Sequence, residues 1–116
     1  MQDILTQHEK WKGQFRKGFL ELCVLTALKR RERLYGVELI DLLAHVGIEI
    51  AEGTLYPMLV RLANEQMLVS TWETPESGHP RKFYALSDFG RLQLEKIAES
   101  YEEGYIAYRT LEEELQ

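Results

Sequence analysis

The hydrophobic residues of this chain follow a helical period up to Glu65, a strand period from Met67 to Ser87, and a helical period again from Asp88. Such an order gives three helical segments, a pair of short strands and a long final helix. Because an isolated two-stranded ribbon is only marginally stable in water, the strands must pack against the helices. The pattern therefore predicts a mainly α fold with a small two-stranded β-wing.

Three segments of the first half have the spacing of helices. Residues 19–28 are apolar on nearly every side, which is typical of a central buried helix, and a spacing of three and four extends this pattern upstream to Ile4. A second helix covers residues 37–43, and Gly47 marks its end. The third helix runs from about residue 52 to 65. Its inward stripe is predicted to be Leu55, Met58, Leu59 and Leu62.

The second half of the chain combines a wing with a long helix. Residues 67–72 and 81–87 are rich in β-branched and aromatic residues and are predicted to be strands joined by a loop. Ser87 is a favourable N-cap for the helix that follows. Three helices followed by a two-stranded wing describe a winged helix-turn-helix. The final helix carries a heptad seam of Leu94, Ile97, Tyr101, Gly104, Tyr108, Leu111 and Leu115.

Length and charge limit the number of domains and the partners. The 116 residues suffice for one core but not for two. We predict a winged helix-turn-helix domain with an N-terminal helical extension over residues 1–87 and a dimerisation helix over residues 88–116. The net charge of −5 argues at first against a protein that binds nucleic acid. However, residues 1–96 hold 13 basic and 13 acidic side chains, so the negative excess belongs to the last helix.

Catalysis, metal binding and membrane insertion have no support in the sequence. Cys23 is the single cysteine, which fits a reducing cytoplasm, and no apolar run is long enough for a signal peptide or a membrane span. His8, His45 and His79 have no partner at metal-ligand spacing. Neither a glycine-rich phosphate loop nor a nucleophile elbow is present. The sequence predicts a cytoplasmic protein that is no enzyme and holds no cofactor or metal.

The third helix and the wing carry the candidate DNA-binding residues. Opposite its inward stripe the helix presents Thr54, Tyr56 and Arg61, whose hydroxyl and guanidinium groups suit phosphate oxygens or a guanine edge. The wing adds a second group, His79, Arg81 and Lys82. Both sets are equally compatible with an ordinary solvent-exposed surface.

The heptad seam predicts self-association. Packed against a second copy, it would make a two-fold dimer whose interface contains Ile97, Tyr101, Gly104, Tyr108 and Leu111. The alternative is that the seam packs on the first helix of the same chain.

Aromatic side chains offer a candidate effector pocket. Trp11, Trp72 and Tyr101 together could bound a cavity for a flat ligand. The alternative is that these rings belong to an interface core.

Two motifs in order carry a resemblance to a known family. The first is Leu34-Tyr35-Gly36, followed by a third helix that opens with residues 53–57, Gly-Thr-Leu-Tyr-Pro. The second is the basic, aromatic strand 81–84 followed by Leu86, Ser87 and Gly90. Over residues 17–96 the chain resembles the PadR family of bacterial transcriptional regulators, in its short subgroup with a single C-terminal helix.

That resemblance implies a homodimer that binds pseudo-palindromic double-stranded DNA through the third helix and the wing. It also implies a repressor that is released by a small, often aromatic effector. One departure is Gln66, at a position where the family commonly has glycine. The alternative function is a winged-helix module that binds another protein and never contacts DNA.

Overall fold

The computed structural model describes residues 3–76 and 78–114. Four helices and three strands follow one another as α1 (Ile4–Arg31), β1 (Leu34–Tyr35), α2 (Gly36–His45), α3 (Glu52–Asn64), β2 (Leu68–Glu73), β3 (Arg81–Leu86) and α4 (Asp88–Glu114). The predicted class, a mainly helical winged helix-turn-helix with a long C-terminal helix, is confirmed.

The sheet has three strands rather than the two that the sequence predicted. Strand β3 lies in the middle, antiparallel to both β1 and β2. Leu34 pairs with Tyr84, and Tyr35 pairs with Phe83. A strand of two residues is too short to show an alternating pattern, so the hydrophobic period does not indicate β1.

Helix α1 is continuous over 28 residues, through both Gly13 and Gly18. Its N-cap is Asp3, whose carboxylate accepts hydrogen bonds from the Leu5 N–H at 3.0 Å and from the Thr6 hydroxyl at 2.6 Å. The bond from Thr6 holds the pKa of the Asp3 carboxyl below its ordinary value. The helix therefore projects well beyond the core, which begins only at Leu20.

The core is built from leucines of the first three helices and closed by the sheet. Tyr84 and Leu86 of β3 and Leu94 of α4 are buried against it. The predicted inward stripe of α3 is confirmed at three of its four positions, while Met58 is half-buried. The side chains with no exposed surface are Val24, Leu25, Leu28, Leu39, Leu55, Leu59 and Leu62.

Helices α2 and α3 end in the same hydrogen-bonded turn, built on different residues. After α2, the N–H groups of Gly47 and Ile48 donate to the carbonyls of Ala44 and Leu43. After α3, the N–H groups of Gln66 and Met67 donate to the carbonyls of Ala63 and Leu62. Both are Schellman motifs, which need one residue at positive φ. That residue is Gly47 in the first turn, with φ 89°, and Gln66 in the second, with φ 67°.

We therefore expect Gln66→Gly to stabilise the protein. A left-handed conformation costs a residue with a Cβ about 1–2 kcal/mol, and the greater freedom of glycine in the unfolded chain cancels about 0.5–1 kcal/mol of that gain. The free energy of unfolding in urea should rise by about 0.5–1 kcal/mol. Gly47→Gln is the matched control and should lower it. A variant no more stable than wild type would contradict the assignment of strain at Gln66.

The first turn of α4 is fixed on the turn that follows α3. As predicted, Ser87 caps the helix: its hydroxyl accepts a hydrogen bond from the Gly90 N–H at 2.9 Å. The same hydroxyl donates to the carbonyl of Gln66 at 2.6 Å, and the Ser87 N–H donates to the carbonyl of Met67 at 3.0 Å. These bonds set the direction in which α4 leaves the winged domain.

Beyond Ala98, α4 leaves the core and every described residue is exposed. The radius of gyration is 17.1 Å, whereas a compact domain of this length has about 13 Å. The projecting half carries the seam positions Tyr101, Gly104, Tyr108 and Leu111, while Leu115 lies outside the described residues. No helix among the described residues has the length and apolar character to cross a membrane.

Candidate nucleic-acid interface

The exposed face of α3 lies next to the wing across an open groove. Tyr56 of α3, Trp72 of β2 and Lys82 of β3 line this groove, whose volume is 580 Å³. Thr54 lies near the exposed start of α3, and the Tyr56 side chain is 38% exposed. Arg81 lines the same groove, so the structure brings one hydroxyl of the candidate helix and two cations of the wing to a single concave surface.

Aromatic rings hold the wing cations in place. The Lys82 ammonium lies 5.8 Å from the centre of the Trp72 ring and 5.5 Å from that of Tyr84. The Arg81 guanidinium lies 4.9 Å from the ring centre of Tyr35. Contacts of this kind stabilise a cationic side chain that lies above the face of an aromatic ring. They position Arg81 and Lys82 without neutralising them, so both charges stay available to an anion.

Arg61 is placed differently from the wing cations. Its guanidinium pairs with Glu21 of α1 and, at 3.0 Å, with Glu65 one turn along α3. The hydrogen bond to Glu21 is the main cause that raises the pKa of Arg61. Two carboxylates surround one cation, so this cluster is net negative. A contact between Arg61 and DNA stays a prediction, and it requires that these ion pairs be exchanged for the phosphate.

Helix α1 contributes cations to the same side of the molecule. Arg16 and Lys17 line a groove of 830 Å³ together with Thr54 and Arg61. These two residues were absent from the predicted site. Only the fold shows that this part of α1 passes beside the start of α3.

On the outer face of the wing, Arg33 stands over Phe83 with its guanidinium 3.9 Å from the ring centre, and it pairs with Glu73. Phe83 in turn meets the Tyr35 ring edge-on at 5.3 Å. This cluster ties β1 to the other two strands. His79 lies in the exposed loop before β3, with no hydrogen bond or ion pair to the described residues.

The seam and the proposed pocket residues are only partly brought together. Rings stack along one face of α1 from His8 through Trp11, Phe15 and Phe19, with centres 6.0, 5.3 and 5.0 Å apart. Phe19 then meets Tyr101 of α4 at 5.8 Å. Trp11 and Tyr101 thus belong to one aromatic ladder.

Trp72 belongs to the wing groove instead, so the structure does not group it with the other two pocket candidates. Ile97 is half-buried against the protein's own core. Tyr108 and Leu111 are 57% and 62% exposed. The alternative in which the seam packs on the first helix of the same chain therefore holds only for its start.

Residues 24–96, more than half of the chain, match the profile of the transcriptional regulator PadR-like family. The protein belongs to this family. Its fold is also that of solved PadR proteins. It is 31% identical to a PadR family transcriptional regulator from Eggerthella lenta, with a TM-score of 0.81 over 98% of this chain and 96% of that one.

Two further solved structures are similar over most of their length. A PadR-like transcription factor from Bacteroides fragilis is 34% identical, with a TM-score of 0.75 over 88% of this chain and 98% of that one. A PadR-like transcriptional regulator from Bacillus cereus is 33% identical, with a TM-score of 0.73 over 86% of this chain and 97% of that one. PadR-like proteins are transcriptional regulators, a class that in general is not enzymatic.

Two glycines of the PadR-like motifs, Gly36 and Gly90, lie where a side chain would collide with a neighbouring residue. A Cβ at Gly36 would lie 2.5 Å from the Tyr56 hydroxyl oxygen and 2.7 Å from the ring carbon that carries it. Gly36 therefore leaves the space in which the Tyr56 ring lies. A Cβ at Gly90 would overlap the carbonyl oxygen of Met67 and lie 2.9 Å from its carbon. Gly36 thus sets the position of Tyr56, and Gly90 sets the packing of α4.

Pro57 shapes the exposed side of α3. Proline has no N–H, so the carbonyl of Gly53, one turn earlier, receives no hydrogen bond from it within the helix. Both residues are exposed, so that carbonyl is accessible to solvent and the missing bond costs little. This explains how a PadR-like α3 carries a proline inside the helix without losing the buried stripe of Leu55, Leu59 and Leu62.

Proposed function

We propose that this PadR-like protein is a transcriptional repressor that binds a pseudo-palindromic operator as a homodimer. The observation that carries the proposal is the common groove of Tyr56, Arg81 and Lys82, which joins the exposed face of α3 to the wing. The relatives from E. lenta, B. fragilis and B. cereus, all named as transcription factors or transcriptional regulators, support it.

In this proposal α3 enters the major groove and the wing contacts the neighbouring backbone. The hydroxyls of Thr54 and Tyr56 donate to phosphate oxygens, and the wing cations neutralise phosphates on the flanking strand. Arg16 and Lys17 on α1 extend the cationic surface beyond the start of α3. The acidic residues Glu112, Glu113 and Glu114 are exposed at the end of α4, and none of them lines either groove of this surface.

Arg81→Ala combined with Lys82→Ala tests the wing. We expect affinity for the upstream region of the protein's own gene to fall at least tenfold in a fluorescence anisotropy titration. The slope of log affinity against log salt should fall by about 2, since two phosphate contacts are lost. Random DNA should lose affinity in parallel, because phosphate contacts carry no sequence information.

Arg91→Ala with Lys96→Ala removes the same charge from α4 and is the matched control, expected to bind as wild type. A wing variant that binds like this control would contradict the wing contact. If the wild-type protein fails to bind its upstream DNA at low salt, the module that binds another protein becomes the better explanation.

We further propose that a small aromatic effector relieves repression by binding beside the ladder of Trp11 and Tyr101. Partly exposed rings in a row offer a flat ligand an aromatic surface against which it can pack. Trp11 is 55% exposed, so a ligand in contact with its ring should quench the Trp11 fluorescence. The Trp11→Phe variant lacks this emission and should not show the quenching. Flat aromatic compounds that release DNA without changing Trp11 fluorescence would place the effector site elsewhere.

A further inference from the structure

The outermost line of α3 carries no charged side chain. Gly53, Pro57, Val60 and Asn64 follow one another at intervals of four, three and four, so they share the helix face opposite the buried stripe. All four residues are exposed, and Val60 is 50% exposed. The proline ring and the two valine methyl groups form an apolar ridge in the middle of this face, and Asn64 follows at the C-terminal end of the helix.

The apolar ridge of Pro57 and Val60 lies between two cationic grooves. Both residues line an open surface of 630 Å³ that also includes Tyr56 and Arg61. Tyr56 lines the wing groove as well, and Arg61 lines the groove beside α1. The ridge therefore has the wing cations on one side and the α1 cations on the other.

This arrangement of charge is complementary to a DNA duplex. A duplex presents phosphates along both edges of its major groove and uncharged base edges between them. The groove is about 12 Å wide, which admits one α-helix. An uncharged ridge with cations on both sides fits that pattern, whereas a protein partner would need a row of carboxylates along each side of an apolar strip. The occupant that the charges favour is therefore DNA.

The chemistry of the ridge also selects among the bases. Guanine is typically read by Arg or Lys and cytosine by Asp or Glu, and neither Pro57 nor Val60 has such a group. Arg61 is the one cation of α3, and it is paired with Glu21 and Glu65. Thymine is the base that offers an apolar group in the major groove, its C5-methyl. Apolar side chains at the centre of the helix face thus match thymine.

We propose that Pro57 and Val60 contact thymine methyl groups, so that this protein selects A·T base pairs where α3 faces the DNA. The inference rests on the DNA binding proposed above, and it adds the base pair that is recognised and the side chains that recognise it. Burying one methyl group raises affinity about fourfold. The two contacts together should raise it about tenfold or more.

Replacing thymine with uracil tests the contact directly, because uracil lacks the methyl group and pairs in the same way. The probe is a duplex that the wild-type protein selects from random sequences, prepared once with thymine and once with uracil. Wild type should bind the uracil duplex about tenfold or more weakly in a fluorescence anisotropy titration. For Val60→Ala the difference should fall to about fourfold, since only the Pro57 contact remains.

Val69→Ala is the matched control. Val69 of β2 is 55% exposed and lines none of the three surfaces around α3, so this variant should keep the full difference between the two duplexes. Val60→Ala should fold as wild type does, because alanine favours a helix over valine, and circular dichroism checks this.

Three results overturn the inference while DNA binding stands. They are equal binding of both duplexes by wild type, an undiminished difference for Val60→Ala, and a selection that enriches no A·T base pairs. If wild type binds no random duplex at low salt, the proposed function is wrong and this inference with it.

5-Methylcytosine tests the methyl group on another base. The chosen position is a thymine at which uracil weakens wild type more than Val60→Ala, and a C·G pair there should weaken binding. 5-Methylcytosine in the same pair should recover about fourfold in affinity for wild type, but not for Val60→Ala. A wild-type protein that recovers nothing reads the hydrogen-bonding edge of the base rather than its methyl group, which would contradict the proposal.

Discussion

Gly90→Ala is expected to destabilise this protein strongly. The Cβ of alanine would overlap the carbonyl oxygen of Met67 and lie 2.9 Å from its carbon. This carbonyl group cannot move aside easily, because it belongs to the backbone and accepts a hydrogen bond from the Ser87 N–H at 3.0 Å. To remove this overlap, α4 must shift away from the turn that follows α3. Such a shift breaks the N-cap hydrogen bond of Ser87 and exposes Leu94.

We expect a loss of about 3 kcal/mol or more, out of a total stability of about 5–15 kcal/mol for a domain of this kind. Urea denaturation followed by circular dichroism measures it. Gly18→Ala makes the same chemical change in α1, where a Cβ meets nothing within 4 Å. That control should gain about 0.5–1 kcal/mol, since alanine favours a helix over glycine.

If Gly90→Ala were as stable as wild type, α4 would have to leave the winged domain in another direction. The position of the projecting seam would then change with it. Gly90→Ala therefore tests how the first turn of α4 is attached, on which the geometry of the proposed homodimer depends.

Much of the fold follows from local patterns in the sequence. The buried stripe of α3, the cap at Ser87 and both long strands of the wing were predicted, because each is set by residues within one or two turns of one another. Strand β1 was missed because its two residues become a strand only through pairing with Tyr84 and Phe83, almost 50 positions later. Gln66 was noted as a departure from the family, and the structure accounts for it as a left-handed residue in a Schellman turn.

The candidate site was predictable in its composition but not in its electrostatics. Tyr56, Arg81 and Lys82 were selected from the sequence, and the structure places all three around one groove. The pairing of Arg61 with Glu65 is visible as a spacing of four along a helix. Its pairing with Glu21 is not, since the two residues lie 40 positions apart and meet only when α1 packs beside α3.

Substitutions in the seam of the proposed homodimer should have the second large effect, on self-association. Tyr108→Glu combined with Leu111→Glu should convert the protein to a monomer that still folds. In the single chain these side chains are 57% and 62% exposed and contribute nothing to the core, so the two carboxylates leave its stability nearly unchanged. In the dimer the same carboxylates would be buried against the partner without a cation, which proteins rarely tolerate.

We expect the dimer dissociation constant to rise about a thousandfold or more, or about 4 kcal/mol, in sedimentation velocity. Leu92→Glu with Ile106→Glu is the matched control, because these residues are 62% and 60% exposed and lie on the helix face opposite the seam. The control should remain a dimer with the same added charge. A seam variant that stays dimeric would place the interface on the aromatic face of α1 instead.

Loss of the proposed dimer should also remove operator binding, although neither substitution lies near the groove that we propose to bind DNA. Two winged domains held together engage two half-sites about 34 Å apart, and the second contact is made at a high effective concentration. A monomer keeps its groove of Tyr56, Arg81 and Lys82 but loses that advantage. Its affinity for the full operator should fall to that for a single half-site, whereas a monomer with wild-type affinity would show that one winged domain recognises the operator alone.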